Sequence, residues 1–523
     1  MEALEEARDL KPNDLPLLTR MVGLYSQVGN WNAMADLLER MADGEQDPNR
    51  KATFLYTVAQ LYRDADKLGD SARAVEMFDR VLDIQPQKLE AFERINKLLT
   101  DAKEWKQLER AYRKMLKRGT GTNTELEHTL WHGLGIIYRD RMSDPRSALE
   151  AFKMALRLHP DDSTERQIVA ELYEVVGEHE AASSEYEIMV AGDPMKPDAY
   201  RALYRLATSN GNIDRAWNIC AVLSFLNLAD AGERDFFEAH RPRGMLAMRS
   251  RIDNEAWVRT LMHPDENLFI GKIFEMITPA AMAAQARRLQ AEGRLPKLDA
   301  KFKQDPATST VTFAKTFGWG AQVLGIQAPD LYIRNDIAGS VATVPSIPPA
   351  SVAGQTVLAG FSPQELAFIV GKHLANYRGE HYIKQLFPTL GELKLMLLSA
   401  IKIVAQDFEV PAEMAQAVTV TAQQLAPLMN PVQREGLRVV VQKFIADGAR
   451  ADLRRWMQAS ELSCARAGLL LSGDLDIARK VLGAEAQIPG DLSAQDKLKE
   501  LLAYSVSDSY AQLRQSLGVA IQG

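Results

Sequence analysis

The stretch FIVGKHLANYR (368–378) gathers side chains with chemical potential: Lys372, His373 and Asn376, with His381 close behind. Lys372 and Asn376 are four residues apart, so on a helix they share one face. Zinc-dependent hydrolysis wants two neutral imidazoles at that spacing, with a glutamate beside the first as general base. Those places here hold an ammonium, which repels a dication, and a carboxamide, which is a poor zinc ligand. A metal set rebuilt from His373, His381 and Glu461 is the weaker alternative. Around an ideal helix His373 and His381 lie about 80° apart and about 12 Å apart along the axis. One ion reaches both only if the helix ends near Gly379 and the chain turns back.

Other chemistries find no support. No Walker loop, dinucleotide fingerprint or GxSxG elbow occurs. His128, His132, His159, His179, His240 and His263 are scattered without ligand spacing, and most are expected to be exposed. The two cysteines, Cys220 and Cys464, make neither a disulfide framework nor a four-cysteine zinc site, and fit a reducing compartment. No cofactor is expected. The net charge is −7 with both signs interspersed, which argues against nucleic-acid binding. The opening MEALEEARDLKPND has no apolar signal region. The most apolar run, LKLMLLSAIKIVA (393–405), is too short to cross a bilayer and carries lysines, so it reads as a buried amphipathic helix. The cytoplasm is the expected location, with no membrane span.

The elements that must position these residues fall into two styles. The 523 residues are 46% apolar and 25% charged, enough for two or three domains. The first part repeats itself. GLYSQVGNWNAMADLLERM (23–41), QLYRDADKLGDSARAVEMFDRVLDIQP (60–86), IIYRDRMSDPRSALEAFKMAL (136–156) and ELYEVVGEHEAASSEYEIMVAGDP (171–194) share one plan. A tyrosine ends one helix, a polar turn follows, and a second helix carries small residues inward. The tyrosines are Tyr25, Tyr62, Tyr138 and Tyr173; Ala74, Ala148 and Ala181 allow close helix approach; Phe78, Phe152 and Tyr186 fill the gap to the next repeat. Pro86, Pro160 and Pro194 stop second helices, because proline cannot continue the hydrogen-bond ladder.

This plan resembles the tetratricopeptide repeat (TPR). About six copies are expected over 13–227, with ALEEARDLKP as the tail of an earlier one. The resemblance implies an α-solenoid whose surface binds a protein or peptide partner, since no single repeat can bury its own face. The expected domains are repeats over 1–227, a connector over 228–265 and a third region over 266–523. Within the connector, HRPRGMLAMRSR (240–251) reads as a solvated link or helix face, with contact to an acidic partner as the alternative.

In the third region, TVTFAKTFGWGAQVLGI (310–326) is expected to be helical and 329–361 to form a small sheet. The helix over 362–386 opens with a capping box, Ser362 and Glu365, and with Pro363 at its first position. Residues 365–376 read Glu-Leu-Ala-Phe-Ile-Val-Gly-Lys-His-Leu-Ala-Asn. They resemble the Glu-Leu-x-x-Val-Leu-Gly-His-Glu-Leu-Ala-His helix of gluzincin metallopeptidases of the CAAX-prenyl-protease and heat-shock-protease type. Residues 461–470, Glu-Leu-Ser-Cys-Ala-Arg-Ala-Gly-Leu-Leu, resemble that family's later Glu-Leu-Ser-Ala-Asp-Arg-Ala-Gly-Leu-Leu. The two matches span roughly 310–485.

The resemblance implies a mainly α fold, a TPR solenoid followed by a helical domain with a small sheet like a gluzincin core. It also implies degenerate active-site positions. Lys372 and Asn376 stand where the family has histidines, His373 where it has the basic glutamate, Glu461 where it has the third ligand, and Ala465 where an aspartate follows. Fold resemblance does not carry activity, so the expectation is a non-enzymatic pseudopeptidase in which Lys372 pairs with Glu461, helped by His373 and Asn376. A zinc-dependent hydrolase with altered ligands is the alternative.

Overall fold

A computed structural model describes residues 14–119, 123–486 and 490–522. The segment ALEEARDLKP lies outside them. The chain divides into two compact units, Met1–Glu185 and Tyr186–Gly523.

The first unit is built from helix pairs: α1 (Leu15–Gln27) with α2 (Trp31–Gly44), α3 (Pro48–Arg63) with α4 (Ser71–Ile84), α5 (Leu89–Asp101) with α6 (Trp105–Gly119), and α7 (Thr124–Ile136) with α8 (Pro145–Leu158). Then come α9 (Ser163–Val176) and α10 (His179–Gly192), which crosses the division. Local chemistry sets these boundaries. Asp47 and Asp144 cap α3 and α8, and Pro48 and Pro145 take the first turn, where no amide hydrogen is needed. Helices α4 and α8 end just before Pro86 and Pro160. Gly177 closes α9 at φ 82°, a conformation that suits glycine.

The repeat residues form one continuous core. Tyr25, Tyr62, Ala74, Phe78, Tyr138, Ala148 and Phe152 are buried within it. Tyr186 is buried as well. Two assignments shift. Tyr173 is only half-buried against this core, with Lys153 above its ring. The inward alanine of α10 is Ala182, not Ala181, a slip of one position along the helix face. The tyrosines also carry polar partners. Tyr62 Oη lies 3.1 Å from Glu39 and accepts from Arg73 at 2.7 Å. Tyr138 Oη donates to Glu109 at 2.7 Å and accepts from Arg113 at 2.8 Å. Each ring therefore fills the core while its hydroxyl is satisfied at the rim.

The second unit begins with α11 (Pro197–Ser209), α12 (Ile213–Phe225) and α13 (Ala231–His240). A buried pair binds α12 to the chain's last helix: Arg514 Nη2 donates to Asp214 Oδ1 at 2.8 Å. The stretch 240–251 is not a helix face. After His240, which ends α13, it is irregular chain whose Arg241 finds its acids internally, at Asp474 and Asp476. Then follow α14 (Leu268–Ala291), β1 (Lys303–Gln304), α15 (Thr312–Val323), β2 (Asp330–Ile333), β3 (Val341–Val344) and β4 (Ala350–Ala353). The sheet runs β1-β2-β4-β3, with β2 and β4 parallel and the other neighbours antiparallel. Strand β1 lies outside the segment expected to form the sheet.

The remaining helices are α16 (Pro363–Ala375), α17 (Ile383–Leu386), α18 (Leu390–Val404), α19 (Ala415–Leu425), α20 (Pro431–Ala446), α21 (Leu453–Ser472), α22 (Leu475–Gly483), α23 (Ala494–Ser505) and α24 (Asp508–Ser516). The helix expected over 362–386 is thus broken after Ala375, and turns occupy the gap before α17. The capping box at Ser362 and Glu365 is present, with Pro363 leading. Helix α18 is the amphipathic helix expected from LKLMLLSAIKIVA, with Leu393, Met396, Leu397, Ala400 and Ile401 in a core shared with α14 and α20. Among the described residues, no helix is long and apolar enough to cross a membrane.

Phe152 is fully buried, and a Cβ at Gly135 would come within 2.8 Å of its ring. Phe152→Ala should cost about 3–5 kcal/mol by opening a cavity between rigid helices. Urea denaturation followed by circular dichroism checks this.

Candidate functional site

Helices α16 and α21 cross at nearly bare backbone. A Cβ at Gly371 would lie 2.5 Å from the Ala467 carbonyl oxygen, and one at Gly468 would lie 2.9 Å from that of Phe368. Helix α15 also packs closely on α16, with the bare Gly320 against the Val370 side chain, which a Cβ there would meet at 2.6 Å. These contacts place Lys372 and Glu461 face to face.

Lys372 Nζ is 2.7 Å from Glu461 Oε1 and 2.6 Å from Glu485 Oε2. Two further lysines approach the same carboxylate. Lys497 Nζ is 3.4 Å from Glu461 Oε1 and Lys384 Nζ is 3.8 Å from Glu461 Oε2. Lys497 also reaches Asp491 at 2.7 Å. The cluster thus balances three ammonium groups against three carboxylates. Burial pushes the Glu461 carboxyl up, but Lys372, Lys384 and Lys497 outweigh it and hold the group well below the usual carboxylate range. Burial likewise pulls on Lys372, and Glu461 and Glu485 outweigh it, holding the ammonium above its ordinary value. Both partners are charged at neutral pH.

The neighbours expected to assist the pair do other work. His373 Nε2 is 2.8 Å from Ser351 Oγ on β4. That hydroxyl is also 2.7 Å from Tyr377 Oη, which donates to the Ala350 carbonyl at 2.8 Å. This chain ties α16 to the sheet. Burial pulls the His373 imidazole down to about 4, so it is neutral at pH 7. Ser351 is fully buried, which keeps substrate from its hydroxyl. Asn376 donates to the Lys372 carbonyl at 3.1 Å and accepts from Gln385 at 3.1 Å, so it caps α16 rather than touching the ion pair. Ala465 is buried in α21.

His381, the residue of the weaker metal alternative, sits elsewhere. The break after Ala375 turns it inward, fully buried, with Nε2 2.8 Å from Glu266 and Nδ1 3.1 Å from the Ala375 carbonyl. Both ring nitrogens face acceptors, the pattern of an imidazolium. Burial pulls its pKa down, and the Glu266 carboxylate outweighs it, raising it to about 10. Glu266 also accepts from Ser463. His373, His381 and Glu461 therefore have three separate sets of partners and do not converge on one point.

Sequence reading missed Glu266, Lys384, Lys497, Glu485 and Asp491. Glu266 lies 115 residues from His381, and Lys497 lies 36 from Glu461, so no local spacing announces either contact. It also misjudged the histidines of the repeats. His128, His132 and His159 are half-buried neighbours, with the His128 and His159 ring centroids 4.3 Å apart. The available signal was local: His128 and His132 are four apart on one helix, and Asp162 and Glu165 three apart at the next helix start.

Comparison with known proteins bears on the repeats. Residues 11–187 match the family model described as "Tetratricopeptide repeat". The first unit is accordingly a TPR array. The chain is 24% identical over 165 residues to "Superkiller protein 3" of Schizosaccharomyces pombe (strain 972), an overlap of 31% of this chain and 11% of that protein. The chain thus spans about a tenth of the length of that curated relative. Among solved structures, YrrB, described as a TPR protein with an unusual peptide-binding site, is 17% identical with a TM-score of 0.25, covering 36% of this chain and 92% of that one. MamA from Desulfovibrio magneticus RS-1 is 22% identical with a TM-score of 0.20, covering 33% and 90%.

His381 and His373 act on stability with opposite signs. His381 holds its proton more tightly folded than unfolded, so its contribution is complete below about pH 6.5 and is lost as pH rises toward about 10. His373 resists protonation when folded, so its contribution is lost as pH falls from about 6.5 toward about 4. Urea-unfolding free energies should therefore decline on both sides of neutrality. His381→Gln should flatten the alkaline limb and cost about 3–5 kcal/mol at pH 7, because Glu266 is left buried without its cation. An unchanged alkaline slope in that variant would remove His381 from the account.

Proposed function

We propose that this chain is a non-catalytic interaction protein. The TPR array offers a surface to a protein or peptide partner, in keeping with what helical-repeat arrays do through their extended surfaces. The second unit is a pseudopeptidase. It keeps a metallopeptidase-like frame for binding or architecture, with an ammonium in the place of the metal. One observation carries this reading: Lys372 Nζ lies 2.7 Å from Glu461 Oε1, joining the two helices that carry the resemblance. A dication at that point would meet the lysine head-on. Strand β3, at the edge of the sheet, supports a binding role, because an edge strand can take up an extended peptide.

The alternative, a zinc-dependent hydrolase with altered ligands, has less support, because His373 and His381 point to different partners. The two readings separate by rebuilding the site. The combined substitution Lys372→His, His373→Glu and Asn376→His should give the chain one zinc that it loses again when Glu461→Ala is added. The unaltered chain should contain no zinc that depends on Glu461 and should not cleave an unfolded protein substrate. Metal content by mass spectrometry and a protease assay read both. Glu461-dependent zinc in the unaltered chain would overturn the proposal. A folded triple variant that gains none would remove the metallopeptidase-like frame.

A further inference from the structure

The repeat array contains a second cluster of chemically capable side chains, remote in sequence from the one above. His128 and His132 lie on α7, and His159 is the residue that closes α8. They surround the start of α9, where Asp162 is the N-cap and Glu165 lies in the first turn. One ligand atom each from His128, Asp162 and Glu165 falls within 4.8 Å of the other two.

The polar groups here are incompletely satisfied. Glu165 is 2% exposed. Its Oε2 lies 2.8 Å from His132 Nδ1, while its Oε1 has no hydrogen-bond partner. His128 Nε2 and His159 Nε2 are also buried and unpartnered. The His159 nitrogen faces Glu125 at 3.3 Å, but not in hydrogen-bond geometry. An unpaired oxygen on a buried carboxylate is costly, as is a buried imidazole lone pair without a donor. The helix start adds its own partial positive charge, yet it has two carboxylates to compensate it.

A single cation answers the deficits at Glu165 and His128. It supplies charge to Asp162 and Glu165 and accepts the lone pair of His128. The donor set, one imidazole and two carboxylates, suits borderline first-row ions better than the all-oxygen preference of calcium or magnesium. His132 then holds Glu165 from behind, the role usual for groups that orient metal ligands. Zinc–ligand bonds of about 2.0–2.2 Å require donors about 3.4 Å apart, so modest side-chain rotation must close the cluster.

We propose that His128, Asp162 and Glu165 bind one divalent transition-metal ion of the zinc class, joining α7 to α9 across successive repeats. Such an ion staples one repeat to the next.

The test uses the full chain, stripped with chelator and titrated with zinc by calorimetry at pH 7.5, and separately with cobalt read by visible absorption. The expected result is one zinc per chain with micromolar or tighter affinity. His128→Ala and Glu165→Gln should each weaken it by about tenfold or more. Glu461→Ala should leave it unchanged, which separates this site from the one under Proposed function. Affinity should fall between pH 7.5 and 5.5, because a ligating imidazole must be neutral. Glu165→Gln is nearly isosteric and retains an acceptor for His132, so it keeps the test valid if His128→Ala does not fold. No saturable binding up to about millimolar zinc would overturn the proposal. So would binding that Glu165→Gln leaves intact, since that marks an adventitious ion only.

Discussion

The second unit depends on two helices whose backbones touch at a pair of glycines. Gly371 and Gly468 let α16 and α21 touch backbone to backbone, and a methyl group at Gly371 would strike the Ala467 carbonyl. Packed interiors do not yield to such an insertion without cost. The crossing also fixes the chemistry. Lys372 follows Gly371 directly, and Glu461 lies two turns before Gly468 on the facing helix, so the ammonium and the carboxylate arrive at contact already oriented. Fixing the backbone first reduces the entropy that a long lysine side chain must lose on pairing.

The unit holds its two central carboxylates in different ways. Glu461 is 19% exposed and is met by lysines from three separate segments, with Glu485 and Asp491 balancing the extra charge. Glu266 is 2% exposed and is met by one imidazole that has both nitrogens engaged. Partial solvation tolerates flexible ammonium groups, which need only distance. Full burial demands directed hydrogen bonds, which a ring fixed at both ends supplies. The Glu461 cluster therefore behaves as a fastening between helices, and the Glu266 pair as part of the core.

The sequence made repeat structure legible because each copy solves the same packing problem. Tyr62 and Tyr138 recur at the same turn, and Ala74 and Ala148 at the same close approach, so the pattern announces itself. The capping box of α16 was legible because it is contained within four residues. The contact of Lys372 with Glu461 was legible only through the resemblance that placed both on facing helices. What stayed hidden shares one property. His381 meets Glu266, and Lys384 meets Glu461, after the chain breaks at Ala375 and folds back, while Lys497 reaches Glu461 from a helix 36 residues further along. The histidines of the repeats were hidden by the same period that made the array visible. Stacking brings the start of α9 to α7, a juxtaposition that belongs to the array and to none of its copies.

The helix pair α11 and α12 shows how far a repeat-like element can be drawn into another fold. Its sequence reads as the last copy of an array, yet α12 is fastened within the second unit. Arg514 is 2% exposed and holds Asp214 through two nitrogens. Arg215, next along, holds Asp508 at 2.7 Å and donates to the Val506 carbonyl at 3.0 Å. Removing α12 would leave the Arg514 guanidinium buried without its carboxylate, a penalty larger than the net value of the pair itself. Repeat periodicity identifies the kind of helix pair the chain makes; the buried charges determine which unit that pair stabilises.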